Sequence, residues 1–196
     1  MSRKTDNPGS GQARGLLRSL AMLFHHRWAA PIMVELHRDA QRAGGSRFIA
    51  LHARLGMSRE TLRATLDALI QAGWIARNPG VGHALRPEYL LTSAGRRIAP
   101  TCANVLAALR RLRIERVGLQ KWSVPVAAAL AHGSQRFNEL KRTLPGITAR
   151  ALALALKDLQ DAGVIRRNLV DAYPPTAAYE LTSRGRAISR ALGNWR

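Results

Sequence analysis

The stretch YLLTSAGRRI at residues 89–98 recurs as YELTSRGRAI at 179–188, with seven of ten positions the same. At a constant offset of 90, residues 58–98 align with 148–188 without a gap, and 15 of the 41 pairs are identical. A duplication of this kind dictates two copies of one folding unit, each burying its own core. The correspondence continues upstream, with HRWAAPIMVEL at 26–36 against QKWSVPVAAAL at 120–130, Phe48 against Phe137 and Leu51 against Leu140. Length differences fall between these blocks, HRDAQRAGGSRF against AHGSQRF, where loops absorb insertions.

Each copy reads as helix, short helix, helix, then two short strands. Pro31 and Pro125 each lie three residues after a tryptophan, Trp28 and Trp122, in what reads as a first helical turn, where a missing N–H costs nothing. In copy two a short helix is expected over 135–143, then PGIT turns the chain and Thr148 serves as an N-cap. Leu152, Leu156 and Leu159 recur at i, i+4 and i+7 and form one buried stripe, which ends at Gly163 as its equivalent ends at Gly73. Apolar pairs then lead into the strands of a hairpin, with tips at PGVGHAL in copy one and DAYPPTA in copy two. Thr92 or Ser93, and Thr182 or Ser183, would cap a closing helix. The fold class expected is mainly α with small β-hairpin wings: two tandem winged helix-turn-helix domains joined by a helical linker. The boundaries expected are a disordered basic arm over 1–14, a diverged first domain over 15–98, a linker helix over 99–118 and a second domain over 119–196. In the linker, Val105, Leu106, Leu109, Leu112 and Val117 are available for packing, Arg110, Arg111, Arg113 and Arg116 face solvent, and kinks are expected at Pro100 and Gly118.

Charge narrows the class of partner. The formal net charge of the 196 residues is +19 and the pI about 11.8, a surface that attracts polyanions. Only Lys4, Lys121, Lys141 and Lys157 are lysines; the other cations are arginines, whose planar fork suits phosphates and base edges. The excess is spread over the arm, both copies and the linker, so it describes a working surface more than an appendage. A single cysteine, Cys102, excludes an internal disulfide or a cysteine-based zinc site and fits a reducing cytoplasm. No run of 18 apolar residues suggests a membrane span, and the N-terminus lacks an apolar signal core.

In copy two, KW at 121–122, RFNEL at 136–140, LPGIT at 144–148, LKDLQDAGVIRR at 156–167, YPP at 173–175 and YELTSRGRAI resemble the HxlR-type winged-helix transcription regulators, which share the MarR-like fold. Copy one keeps RW, the leucine stripe, AGWI and YLLTSAGRRI but lacks the PGI and YPP elements. The resemblance implies an operator-binding protein of a kind that is typically a homodimer, here resembling a dimer fused into one chain. Double-stranded DNA is the expected partner, with a monomeric pseudo-dimer favoured over a homodimer, a cytoplasmic, nucleoid-associated location, and no assigned effector.

The reading face expected in copy two is Arg150, Ala153, Leu154 and Lys157, opposite the leucine stripe. Arg150 sits near the helix N-terminus, Ala153 and Leu154 permit close approach, and Lys157 suits phosphate. The equivalent face of copy one carries Glu60, Arg63, Ala64 and Asp67, with Arg59 beside them, so the two copies are not expected to read the same bases. Backbone contacts are expected from Arg166 and Arg167 in one wing and Arg77 and Arg86 in the other. Arg136, Lys141, Arg142, Arg47 and Arg54 precede the reading helices and add to them. Trp28, Trp122, Phe48, Phe137, Tyr89 and Tyr179 recur at matched positions and are expected in the core.

Other chemistries find no footing. His25 and His26, being adjacent, are expected on different helix faces without a third ligand, PGVG lacks a following GK[ST], and no nucleophile–base arrangement is recognisable. No cofactor, metal or catalytic residue is expected, and Cys102 reads as a buried, inert thiol. The leading expectation is a sequence-specific transcriptional regulator, a repressor, acting as a fused pseudo-dimer. The alternatives are a non-specific nucleoid or replication protein and a winged-helix interaction scaffold.

Overall fold

The computed structural model describes residues 8–42, 44–78, 87–170 and 176–193. Most of both wing tips, with Arg86 and the YPP element, lies outside the described residues. Copy one comprises α1 (Pro8–Leu23), α2 (Ala29–Ala40), β1 (Ser46–Arg47), α3 (Phe48–Leu55), α4 (Arg59–Gln71), β2 (Ile75–Asn78), β3 (Glu88–Leu91) and α5 (Ser93–Leu112). A short α6 (Glu115–Gly118) leads to copy two, α7 (Ser123–Ala131), α8 (Phe137–Thr143), α9 (Ala149–Asp161), β4 (Ile165–Val170), β5 (Thr176–Leu181) and α10 (Ser183–Leu192). These are two tandem winged helix-turn-helix domains, mainly α with antiparallel wings.

The repeated phrase is the joint between wing and closing helix. Thr92 Oγ1 accepts from the Gly95 amide at 3.1 Å and donates to the Gly73 carbonyl at 2.7 Å. Thr182 does the same with Gly185 at 3.3 Å and Gly163 at 2.7 Å. One hydroxyl thus caps the closing helix and fastens it to the turn that ends α4 in copy one or α9 in copy two. Gly73 and Gly163 adopt φ of +72° and +66°, the left-handed conformation that ends a helix at little cost to glycine. Gly95 and Gly185 are required for another reason: a Cβ would lie 1.9 Å from the Trp74 carbonyl oxygen and 2.3 Å from that of Val164.

One apolar core runs through both copies, from Leu17 to Leu192. Leu152, Leu156 and Leu159 are at most 3% exposed, and full burial of such a side chain contributes about 1.5–3 kcal/mol. Between the copies, α5 packs against α10 and α1 against α7, while α5 also lies along α2 within copy one. Trp28, Trp122, Phe48, Phe137, Tyr89 and Tyr179 all pack on this core. No described helix is long and apolar enough to cross a membrane.

Four features differ from the sequence expectation. Helix α1 opens at Pro8, so residues 8–14 are helical although they were expected in a disordered arm, and Leu17, Leu20 and Leu23 behind them are fully buried. Helix α5 spans the expected boundary at 98/99 and continues through Pro100; the chain breaks at Arg113, the one non-glycine residue with positive φ (54°) among the described residues. Each wing was expected as two strands, yet β1 joins β3 to give the order β1-β3-β2, with Ser46 opposite Tyr89. Copy two has only an isolated bridge there, Arg136 with Ala178. Finally, His25 and His26 are not on a helix: they lie in the turn between α1 and α2 with their rings edge to face at 4.9 Å.

Candidate nucleic-acid interface

Helix α9 is fixed at both ends and along its inner face. Thr148 Oγ1 accepts from the Ala151 amide at 3.1 Å, Gly163 ends the helix, and the leucine stripe faces the core. The outward face is therefore determined: Arg150, Ala153, Leu154 and Lys157 are all exposed. Leu154 is 53% exposed, an unfavourable place for a large apolar side chain and a suitable one for contact with a thymine methyl.

Helix α4 is built alike. Ser58 Oγ accepts from the Thr61 amide at 3.1 Å, and Leu62, Leu66 and Leu69 turn inward. Arg59, Glu60, Arg63, Ala64 and Asp67 are exposed. Glu60 stands in the first helical turn, where the helix dipole favours a carboxylate, so it also has a structural reason to be there. Among Arg150, Ala153, Leu154 and Lys157 the charges are cationic, with exposed Asp161 following at the C-terminal end of α9, whereas Arg59, Glu60, Arg63 and Asp67 of α4 mix both signs from the first turn on.

The backbone candidates divide once their partners are seen. Arg166 faces Glu180 across the β4–β5 ladder and pairs with it at 2.7 Å, and this guanidinium holds the Glu180 carboxyl below its ordinary value. A phosphate at Arg166 would have to replace that pair. Arg54 is engaged by Asp39 at 2.9 Å and by Glu35 at 3.2 Å, and Arg47 by Glu88 at 3.6 Å. Arg59, Arg63, Arg77, Arg136, Lys141, Arg142, Arg150, Lys157 and Arg167 take no part in the ion pairs among the described residues, and all are exposed.

One group was missed. Arg14 and Arg18, on successive turns of α1, meet Arg142 of α8 around a recess of about 460 Å³. Their i, i+4 spacing beside Leu17 and Leu20 was the available signal. Arg14 falls at the end of the arm expected over 1–14, and no local pattern records that α1 crosses onto α7 of copy two.

Burial pushes the Cys102 thiol up to about 12, and the residue is 1% exposed, which makes it inert toward oxidants and electrophiles. Among the described residues no cluster of three metal-ligating side chains occurs.

The HxlR-like helix-turn-helix family model matches residues 23–114 and again 117–195. The chain belongs to the HxlR-like helix-turn-helix family. Its two copies are thus two family units in tandem, and the family is one of helix-turn-helix regulators and not of enzymes. Similar curated proteins include the Bacillus subtilis HTH-type transcriptional regulators YvaP and YtcD. YvaP is 35% identical over 74 residues, covering 38% of this chain and 68% of the relative. YtcD is 39% identical over 72 residues, covering 37% and 57%. A regulator from Synechocystis is 39% identical over 72 residues, covering 37% of this chain and 53% of its own length. Beyond the first of these, the matches span little more than half the length of the relatives. A solved MarR-family regulator from Enterococcus faecalis is 30% identical, with 47% of this chain and 79% of that one covered at a TM-score of 0.38.

Proposed function

We propose that the protein is a sequence-specific DNA-binding transcriptional regulator, a repressor, that works as a fused pseudo-dimer on one duplex. The observation carrying this reading is the outward face of α9: an arginine near the helix N-terminus and a lysine, neither in an ion pair among the described residues, with small Ala153 and exposed Leu154, on a helix locked by a cap and a buried stripe. In the proposed docking α9 enters the major groove, Arg150 bonds base edges, Leu154 meets a thymine methyl and Lys157 meets phosphate.

Arg136, Lys141, Arg142 and Arg167 hold the backbone in copy two, and Arg59, Arg63 and Arg77 do so in copy one. Glu60, able to accept from cytosine, makes the copy-one half-site unlike the other. The pairing of α5 with α10 supports two half-sites held at one fixed spacing by a single chain. Repression needs only occupancy, since a protein lying across an operator denies it to polymerase. The charge of +19 supports a nucleoid location.

Selection of bound sequences from a random DNA pool at rising salt tests the proposal. The expected outcome is one bipartite motif with two unlike halves. Salt-sensitive retention without a motif would replace it with a non-specific binder, and no retention would leave an interaction scaffold.

A further inference from the structure

A cleft lies between the two copies. It measures about 560 Å³, within the size range of small-molecule sites. Arg18, His25 and His26 from copy one and Lys121 from copy two surround it, while Trp74 and Trp122 form apolar walls. No acidic side chain is among the described residues lining it. Burial, the Lys121 ammonium and His26 together hold the His25 imidazole below its ordinary value of 6.5, as happens where positive groups crowd without a negative partner. The carbonyl end of α4 opposes an anion there by roughly half a charge, less than the surrounding cations supply.

The two copies have diverged at this place. In the alignment of the repeats, His25 and His26 correspond to Leu119 and Gln120, and Trp74 corresponds to Val164. The pseudo-symmetric position therefore lacks both imidazoles and one of the two tryptophans. The cleft also touches both reading elements: Gln71 and Ala72 come from the end of α4, and Pro145 and Gly146 from the turn that opens α9.

We propose that this cleft is a binding site, one per chain, for a small planar organic anion of the aromatic carboxylate class. The carboxylate bonds Lys121 and Arg18, and the ring packs between Trp74 and Trp122. A ligand there props α4 against the α8–α9 turn and so sets the separation of the two reading helices. This last consequence rests on the function proposed above; the binding does not.

The test titrates 2-naphthoate into the full chain, with tryptophan quenching and calorimetry as readouts, since two of the four tryptophans line the cleft. Saturation at one ligand per chain is expected. The neutral 2-naphthamide, lacking the charge-assisted hydrogen bonds, should bind at least about tenfold more weakly. Lys121→Gln and Arg18→Gln should each weaken naphthoate binding about tenfold with unchanged melting. Absence of saturation, equal affinity for the amide, displacement by inorganic phosphate at equal ionic strength, or indifference to both substitutions would overturn the site. Operator binding is measured separately with and without naphthoate. A changed affinity supports the coupling, and an unchanged one removes it while leaving the site. If the chain selects no operator, the regulator reading fails and the fluorescence result still decides the site.

Discussion

Arg184 of α10 donates from Nη2 to the carbonyl of Leu112 at the end of α5, a 2.8 Å bond between residues 72 apart in the chain. It supplies a cation to the carbonyl end of α5 and ties the closing helices of the two copies together. Its Nε is buried without a partner among the described residues, so the tie also carries a cost. Arg184→Met keeps the stem and removes both effects. A net loss of no more than about 1 kcal/mol is expected, because a hydrogen bond from a charged donor contributes about 1.5–3 kcal/mol and the unsatisfied buried Nε offsets about 1–3 kcal/mol of it. Urea unfolding at neutral pH measures it, and a variant more stable than wild type would show that the cost outweighs the tie.

Gly95 and Gly185 occupy equivalent places with different clearance, 1.9 Å and 2.3 Å for an added Cβ to a backbone oxygen. Backbone cannot rotate away as a flexible side chain can. Gly95→Ala is expected to cost at least the ~1–3 kcal/mol of an overpacked interior, and Gly185→Ala less. Denaturation midpoints of the two variants, compared directly, check the order; unchanged midpoints would mean the joint is pliable.

The proposed function predicts unequal reading by the two copies, which is measurable on the DNA motif that selection returns. Arg150→Ala should lose about 1–3 kcal/mol of specific binding and relax preference at one base pair. Glu60→Ala should lose less. Lys157→Ala should weaken all sequences alike and lower the salt slope by about 1. If Glu60→Ala costs as much as Arg150→Ala, copy two is not the principal reader.

The Asp39 carboxyl is held below its ordinary value of 3.8, chiefly by the hydrogen bond from Arg54, with further help from Ser46 and Arg42 against the opposing effect of burial. The folded state therefore binds this proton more weakly than the unfolded chain. The stabilisation is complete above about pH 5 and is lost as pH falls through about 4 and below. Unfolding midpoints of wild type and Asp39→Asn, measured from about pH 6 to about pH 3, should converge toward acid. A gap that stays constant would show that the carboxylate charge contributes nothing.

How much was legible follows from what each feature depends on. Thr148, Gly163, the leucine stripe and the capping threonines are set by neighbours within a turn or two, and each is found where the sequence put it. The outward face of α9 then follows by geometry, because a helix with a buried stripe has only one opposite side. Arg54 could not be sorted in this way, since its partners Glu35 and Asp39 lie 19 and 15 residues away on another helix. The same holds for β1, whose pairing with β3 brings residue 46 to residue 89.

The sequence by itself determined the number of copies, their winged-helix form, the phrase that joins wing to closing helix, and the cationic face of α9. These are consequences of periodicity, capping and glycine geometry, which act over short stretches of chain. Only the tertiary structure decided how the copies meet: α5 against α10, α1 across α7, Arg14 and Arg18 beside Arg142, and His25 and His26 opposite Lys121. Contacts between units far apart in the chain depend on which surfaces remain after each unit has buried its own core, and no local pattern records that.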